Sequence, residues 1–219
     1  MTPRYLHAKM MTVLPALTLG FALGLKHATD ADHLAAIGTI ATGGLTPRSA
    51  LIGASWGVGH SISVLLVGGA LVIMRLPMPV RLALALEFLV ALMLIGLGLR
   101  SLAARRRQGH VSPARPLLIG VTHGLAGSAV LAFLVISTTT SALGATLYLL
   151  CFCAGTIAGM AIVTALLMLP VRAAGRHAIR VAQFVRVAAG VASIAIGLSL
   201  AHRVGIEDGL FAATPTWSP

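Results

Sequence analysis

With 58% hydrophobic and only 10% charged residues over 219 positions, and a mean hydropathy of +0.96, the chain is too apolar for a soluble globular domain. The net charge of +11 would suit a polyanionic partner, but the arginines fall in short stretches between apolar runs, where they orient a chain in a bilayer. No nucleic-acid partner is therefore expected, and Cys151 and Cys153, both inside one apolar run, give no disulfide framework.

An all-α integral membrane protein is predicted, with six spans over residues 11–42, 50–74, 80–102, 115–137, 142–170 and 181–202. Residues 1–10 are short and carry no small-residue cleavage site, so the first apolar stretch reads as a retained helix rather than a signal peptide. The first and fifth spans exceed the ~20 residues a straight helix needs, so each must tilt, kink or break, with Pro15, Gly20 and Gly24 as candidate places in the first. The connections 43–49, 75–81, 101–114, 137–141 and 171–180 are too short to hold a second domain, so residues 1–219 form one polytopic unit.

Basic residues set the orientation. The amino-terminal tail (Arg4, Lys9), the second connection (Arg75, Arg81) and the carboxy-terminal tail (Arg203) hold five; the other side holds nine, namely Arg48, Arg100, Arg105, Arg106, Arg107, Arg115, Arg172, Arg176 and Arg180. The richer side is cytoplasmic by the positive-inside rule, which puts both termini outside a cytoplasmic membrane.

The chain also repeats itself. A shift of 96 residues lays Gly24-Leu25-Lys26-His27 on Gly120-Val121-Thr122-His123 and Glu87-Phe88 on Gln183-Phe184; Ile95-Gly96-Leu97 matches Ile196-Gly197-Leu198 after a small insertion. Each unit, about 11–102 and 115–203, holds three spans, an odd number, so the two must cross the membrane in opposite directions. That is the inverted-repeat plan of many secondary transporters, whose sites lie at the midplane where broken helices meet. His27 and His123 would face each other across the pseudo-two-fold axis.

The first span carries the chemistry. From Met10 to Thr42 the ionisable side chains are Lys26, His27, Asp30, Asp32 and His33, and each acid costs ~2.5–3.5 kcal/mol at the centre of a membrane helix, so the cluster marks a functional site. On an unbroken helix at 100° per residue, with His27 at 0°, Asp30 falls at about −60° and His33 at about −120°, while Asp32 falls near about 140°. A site using His27, Asp32 and His33 together therefore requires the helix to unwind. Lys26 stands four residues before Asp30, and an ion pair between them is the bland role for both.

Imidazole nitrogen combined with carboxylate oxygen suits a divalent transition metal such as Ni²⁺, Co²⁺, Fe²⁺ or Zn²⁺. Two more intramembrane imidazoles, His60 in the second span and His123 in the fourth, stand among glycines that allow helices to approach closely. The expected metal set is His27, Asp30, Asp32, His33, His60 and His123, against the simpler possibility that each lone histidine bonds a neighbouring helix. Glu87 near Arg81 reads as an interfacial salt bridge, and Cys151 and Cys153, diverging by about 200° on a helix, as packing residues. The run Ser137-Thr138-Thr139-Thr140-Ser141 reads as a loop, and His7, His110, His177 and His202 fall in tails or connections.

The segment Leu25-Lys26-His27-Ala28-Thr29-Asp30-Ala31-Asp32-His33 resembles the signature of the nickel/cobalt transporter family, a His, four residues, then Asp-His within a membrane helix. Gly59-His60-Ser61 resembles the family's second signature, and His123-Gly124-Leu125-Ala126-Gly127-Ser128-Ala129 is similar to the shorter urease-accessory-type nickel permeases of the same superfamily. The likeness runs from Met11 to about Leu200. It implies secondary transport of Ni²⁺ or Co²⁺ across the prokaryotic cytoplasmic membrane, the metal being cargo rather than a resident cofactor. Larger members carry eight spans, Arg in place of Lys26, and an acid-bearing fifth helix where this chain has the His123 segment.

An uptake permease that is not an enzyme is thus expected: a hydrated ion exchanges water for His27, Asp32, His33 and His60 or His123, and leaves when the two halves rock. Without a Gly-Lys-Ser/Thr phosphate loop, the driving force is the membrane potential, ~4.6 kcal/mol for a divalent cation at 100 mV, or an ion gradient. Three rivals stay open: an exporter of the same fold, an intramembrane metal-dependent hydrolase, disfavoured because no Glu accompanies these histidines, and a metal sensor.

Overall fold

The computed structural model describes residues 17–41, 49–74, 76, 78–103, 112, 114–138 and 142–216, with the backbone alone for 128–138 and 142. The described secondary structure is entirely helical. A helix over residues 17–27 (α1) is followed by α2 (Ala31–Ala41), α3 (Ser49–Met74), α4 (Val80–Ala103), α5 (Ala114–Thr138), α6 (Ala142–Leu167), the short α7 (Leu169–Ala173) and α8 (Ala178–His202). Among the described residues, four helical stretches are long and apolar enough to cross a membrane: Ser49–Met74, Val80–Ala103, Leu143–Ala173 and Gly175–Glu207.

Local chemistry explains where the helices stop. The first predicted span is broken, but at residues 28–30, inside the ionisable cluster, rather than at Gly20 or Gly24; Pro15 lies outside the described residues. Thr29 turns its hydroxyl and its N–H onto the Lys26 carbonyl at 2.6 and 2.8 Å, closing the end of α1. The Asp30 carbonyl then accepts the N–H of Leu34 and starts α2, with Asp32 in its first turn, where the helix dipole favours negative charge. The fifth predicted span yields at Met168, because Pro170 has no N–H and its ring crowds the carbonyl four residues back. The predicted connection 171–180 is partly helical, through α7 and a 3-10 turn at Gly175–His177. Within α3 the helix widens to a π-turn at Val64–Gly68, one turn beyond His60.

The helices interleave. α3 lies between α5 and α6, α4 pairs with α8, and α2 packs on α8. Trp56, Met160, Leu94 and Ile37 fill the main core, and a second cluster around Val64, Tyr148 and Phe152 joins α3 to α6. Serine hydroxyls tie helices to carbonyls across the gaps: Ser63 to Val121 and Ser193 to Leu94, both at 2.7 Å.

The contacts follow the 96-residue offset. A methyl group added to Gly24 of α1 would land on the Phe152 carbonyl of α6, and one added to Gly120 of α5 would land on the Trp56 carbonyl of α3. Gly24 and Gly120 are 96 residues apart, and so are Trp56 and Phe152. The same holds for Gly59 against Leu117 and Gly155 against Phe21. Only glycine lets backbones approach so closely, so the α1–α6 and α3–α5 seams are built alike.

Candidate metal centre

The break between α1 and α2 gathers the cluster. With residues 28–30 out of helical register, Asp32 turns inward beside His33, and α3 and α5 bring His60 and His123 to the same place. Ring centroids lie 4.5 Å apart for His27 and His33, 5.1 Å for His27 and His60, and 4.3 Å for His33 and His123. His33, His60 and His123 are buried, while the side chains of His27 and Asp30 are 22% and 49% exposed, so the cluster opens on the α1 side.

Each carboxylate holds imidazole N–H groups. Asp30 Oδ2 accepts from His27 Nδ1 at 2.9 Å. Asp32 Oδ1 accepts from both the backbone N–H and the Nδ1 of His33 at 2.9 Å, and its Oδ2 accepts from His123 Nε2 at 3.1 Å. His27 Nε2 and His60 Nε2 are 3.3 Å apart. Among the described residues three imidazole nitrogens, His33 Nε2, His60 Nδ1 and His123 Nδ1, and the neighbouring indole Nε1 of Trp56 are buried without a hydrogen-bond partner. Buried polar atoms are almost always paired, so unpaired nitrogens gathered in one place mark a site poised for a ligand.

Two sets of side chains could hold an ion, His27, His33 and His60, or Asp32, His33 and His123, each with ligand atoms within 4.8 Å of one another. All six residues of the expected set thus meet in one region, though Asp30 sits at its rim. Asp30 faces His27 rather than Lys26, which points outward and makes no ion pair with it within 4 Å. Glu87 pairs with Arg203 at 3.1 Å and not with Arg81, whose guanidinium donates to the Ala212 and Ala213 carbonyls. Cys153 is buried against the Ser61 carbonyl and Cys151 is half-buried, as packing residues would be. His177 and His202 are exposed and distant, His202 pairing with Glu207. His7, His110 and residues 139–141 of the serine-threonine run lie outside the described residues.

Two aromatic walls escape a reading based on ionisable residues. Trp56 stacks on His33 with rings 18° from parallel and 5.8 Å apart and meets His123 edge-on, and Phe152 lies 5.5 Å from His27. The signal was available in the repeat, since Trp56 and Phe152 are one offset apart and flank the two offset-related histidines, His27 and His123.

No protein-family profile and no solved structure matches the chain. It is 33% identical to the urease accessory protein UreH of Bacillus sp. (strain TB-90), over an alignment that spans 91% of this chain and 96% of the relative. With its His-x4-Asp-His segment and its His60 and His123 segments, the chain belongs to the UreH family, the urease-accessory-type branch of the nickel/cobalt transporters.

Proposed function

We propose that the protein is a permease carrying Ni²⁺, Co²⁺ or both into the cell across the cytoplasmic membrane, through the His/Asp centre at the break between α1 and α2. The observation that carries this reading is the convergence of four imidazoles and two carboxylates at a helix break among helices fit to cross a bilayer. A donor set rich in nitrogen favours Ni²⁺, Co²⁺ or Zn²⁺ over Mg²⁺ or Ca²⁺. The name of the relative, a urease accessory protein, supports delivery of metal for enzyme maturation over export or catalysis.

We also propose six spans arranged as two inverted repeats, with both termini outside and α1 and α2 together forming the first span. The contacts repeated at the 96-residue offset support the pseudo-two-fold. Because α1 packs closely on α6 and α5 on α3, each seam joins one sequence half to the other. Rocking of the halves would therefore have to open these seams.

The test is Ni²⁺ influx into proteoliposomes holding a metal-sensitive dye, under an inside-negative potential. Wild-type influx that Asp32→Ala abolishes supports the permease; metal binding without influx in the wild type overturns it in favour of a sensor.

A further inference from the structure

Building on the permease reading, we infer that the ion is held by imidazole nitrogen alone, from His27, His33 and His60, and that Asp30 and Asp32 grip these rings from behind without touching it. A carboxylate can only accept, so the atoms facing Asp30 and Asp32 are N–H groups. Asp30 at His27 Nδ1 fixes the tautomer that presents a lone pair at Nε2, and Asp32 at His33 Nδ1 does the same for His33 Nε2. His27 Nε2 then faces His60 Nε2 at 3.3 Å. Two ligands on a tetrahedral ion at about 2.0–2.1 Å stand about 3.3 Å apart. The His33 nitrogen not used by Asp32 is Nε2, buried and without a partner beside these two rings.

The competing set, Asp32 with His33 and His123, asks more of the carboxylate. Both Asp32 oxygens are committed, Oδ1 to two N–H groups of His33 and Oδ2 to His123. An ion on Oδ2 there would have to displace its hydrogen bond from His123 Nε2, whereas the His27, His33 and His60 set leaves every Asp32 bond in place. Asp30, half exposed at the rim, is a positioning residue for His27, of the carboxylate–histidine–metal kind.

The experiment is Co²⁺ binding to the full-length protein in detergent, with affinity measured by titration and the ion's neighbours by X-ray absorption, for the wild type, Asp30→Asn, Asp30→Ala and His27→Ala. Three imidazoles, with water completing the tetrahedron and no carboxylate, are expected in the wild type and in both Asp30 variants. Asp30→Ala weakens binding 10- to 100-fold, by about the factor lost with outer-shell partners. Asp30→Asn recovers most of it, because the amide oxygen accepts the same N–H. His27→Ala removes one imidazole from the shell. A carboxylate oxygen in the wild-type shell, or equal losses in Asp30→Asn and Asp30→Ala, overturns the inference while leaving the permease standing. Wild-type protein that binds no Co²⁺ and passes no Ni²⁺ overturns both.

Discussion

His27 and His60, 33 residues apart in the chain and on different helices, hold their Nε2 atoms 3.3 Å apart. The pair joins the broken first helix to α3, so the two rings act as one unit. His27→Ala and His60→Ala should each lower the initial rate of Ni²⁺ influx at least about tenfold, and the double variant should lose little more, since groups in one network are not additive. Influx of Ni²⁺ into proteoliposomes, normalised to incorporated protein, checks this; independent, multiplying losses would show that the two histidines serve separate steps.

The seams make a prediction about stability. Gly24→Ala and Gly120→Ala should destabilise the protein to a similar degree, by at least the ~1–3 kcal/mol of ordinary overpacking, because each new methyl group meets a backbone carbonyl that cannot rotate away. Gly96→Ala is the control, since nothing lies within 4 Å of a side chain there. Thermal denaturation in detergent reads the difference, and an unaltered midpoint in Gly24→Ala would mean that the α1–α6 seam is looser than described.

How far the sequence led depends on what kind of signal each feature leaves. The helices α3 to α6 and α8 were legible within a few residues, because apolar runs bounded by arginine and proline leave a strong local trace, whereas the short α7 was read as connection. The residues that gather at the break, His27, Asp30, Asp32, His33, His60 and His123, could be picked out because ionisable residues in an apolar run are costly and stand out. The break was legible in part: the angles of His27, Asp32 and His33 required the helix to unwind between them, while Gly20 and Gly24, offered as hinges, serve packing, and nothing marked Thr29 as the residue that closes α1. Partners across helices were equally hidden. Arg81 and Arg203 both come near the amino-terminal part of α4, and only the fold of residues 203–216 decides that Glu87 takes the second.

That ion pair should matter little. Arg203 is half exposed, and exposed pairs contribute about 0–1 kcal/mol. Glu87→Gln is therefore expected to change the unfolding free energy by less than about 1 kcal/mol and to leave Ni²⁺ influx unchanged. Chemical denaturation alongside the influx assay checks both; a large loss of influx would bring Glu87 into the transport path.

Trp56 offers a direct optical report on the centre. Its ring is buried, stacked on His33 and edge-on to His123, so a paramagnetic ion bound among the histidines lies within a few ångströms of the indole. The chain has two tryptophans, Trp56 and Trp217. Titrating Ni²⁺ or Co²⁺ into the detergent-purified protein should quench part of the tryptophan emission with the affinity of the transport site. Trp217→Phe should keep that saturable quenching, and Trp56→Phe should lose it while still binding metal, as judged by equilibrium dialysis. Saturable quenching that persists in Trp56→Phe would mean that the bound ion does not sit beside Trp56.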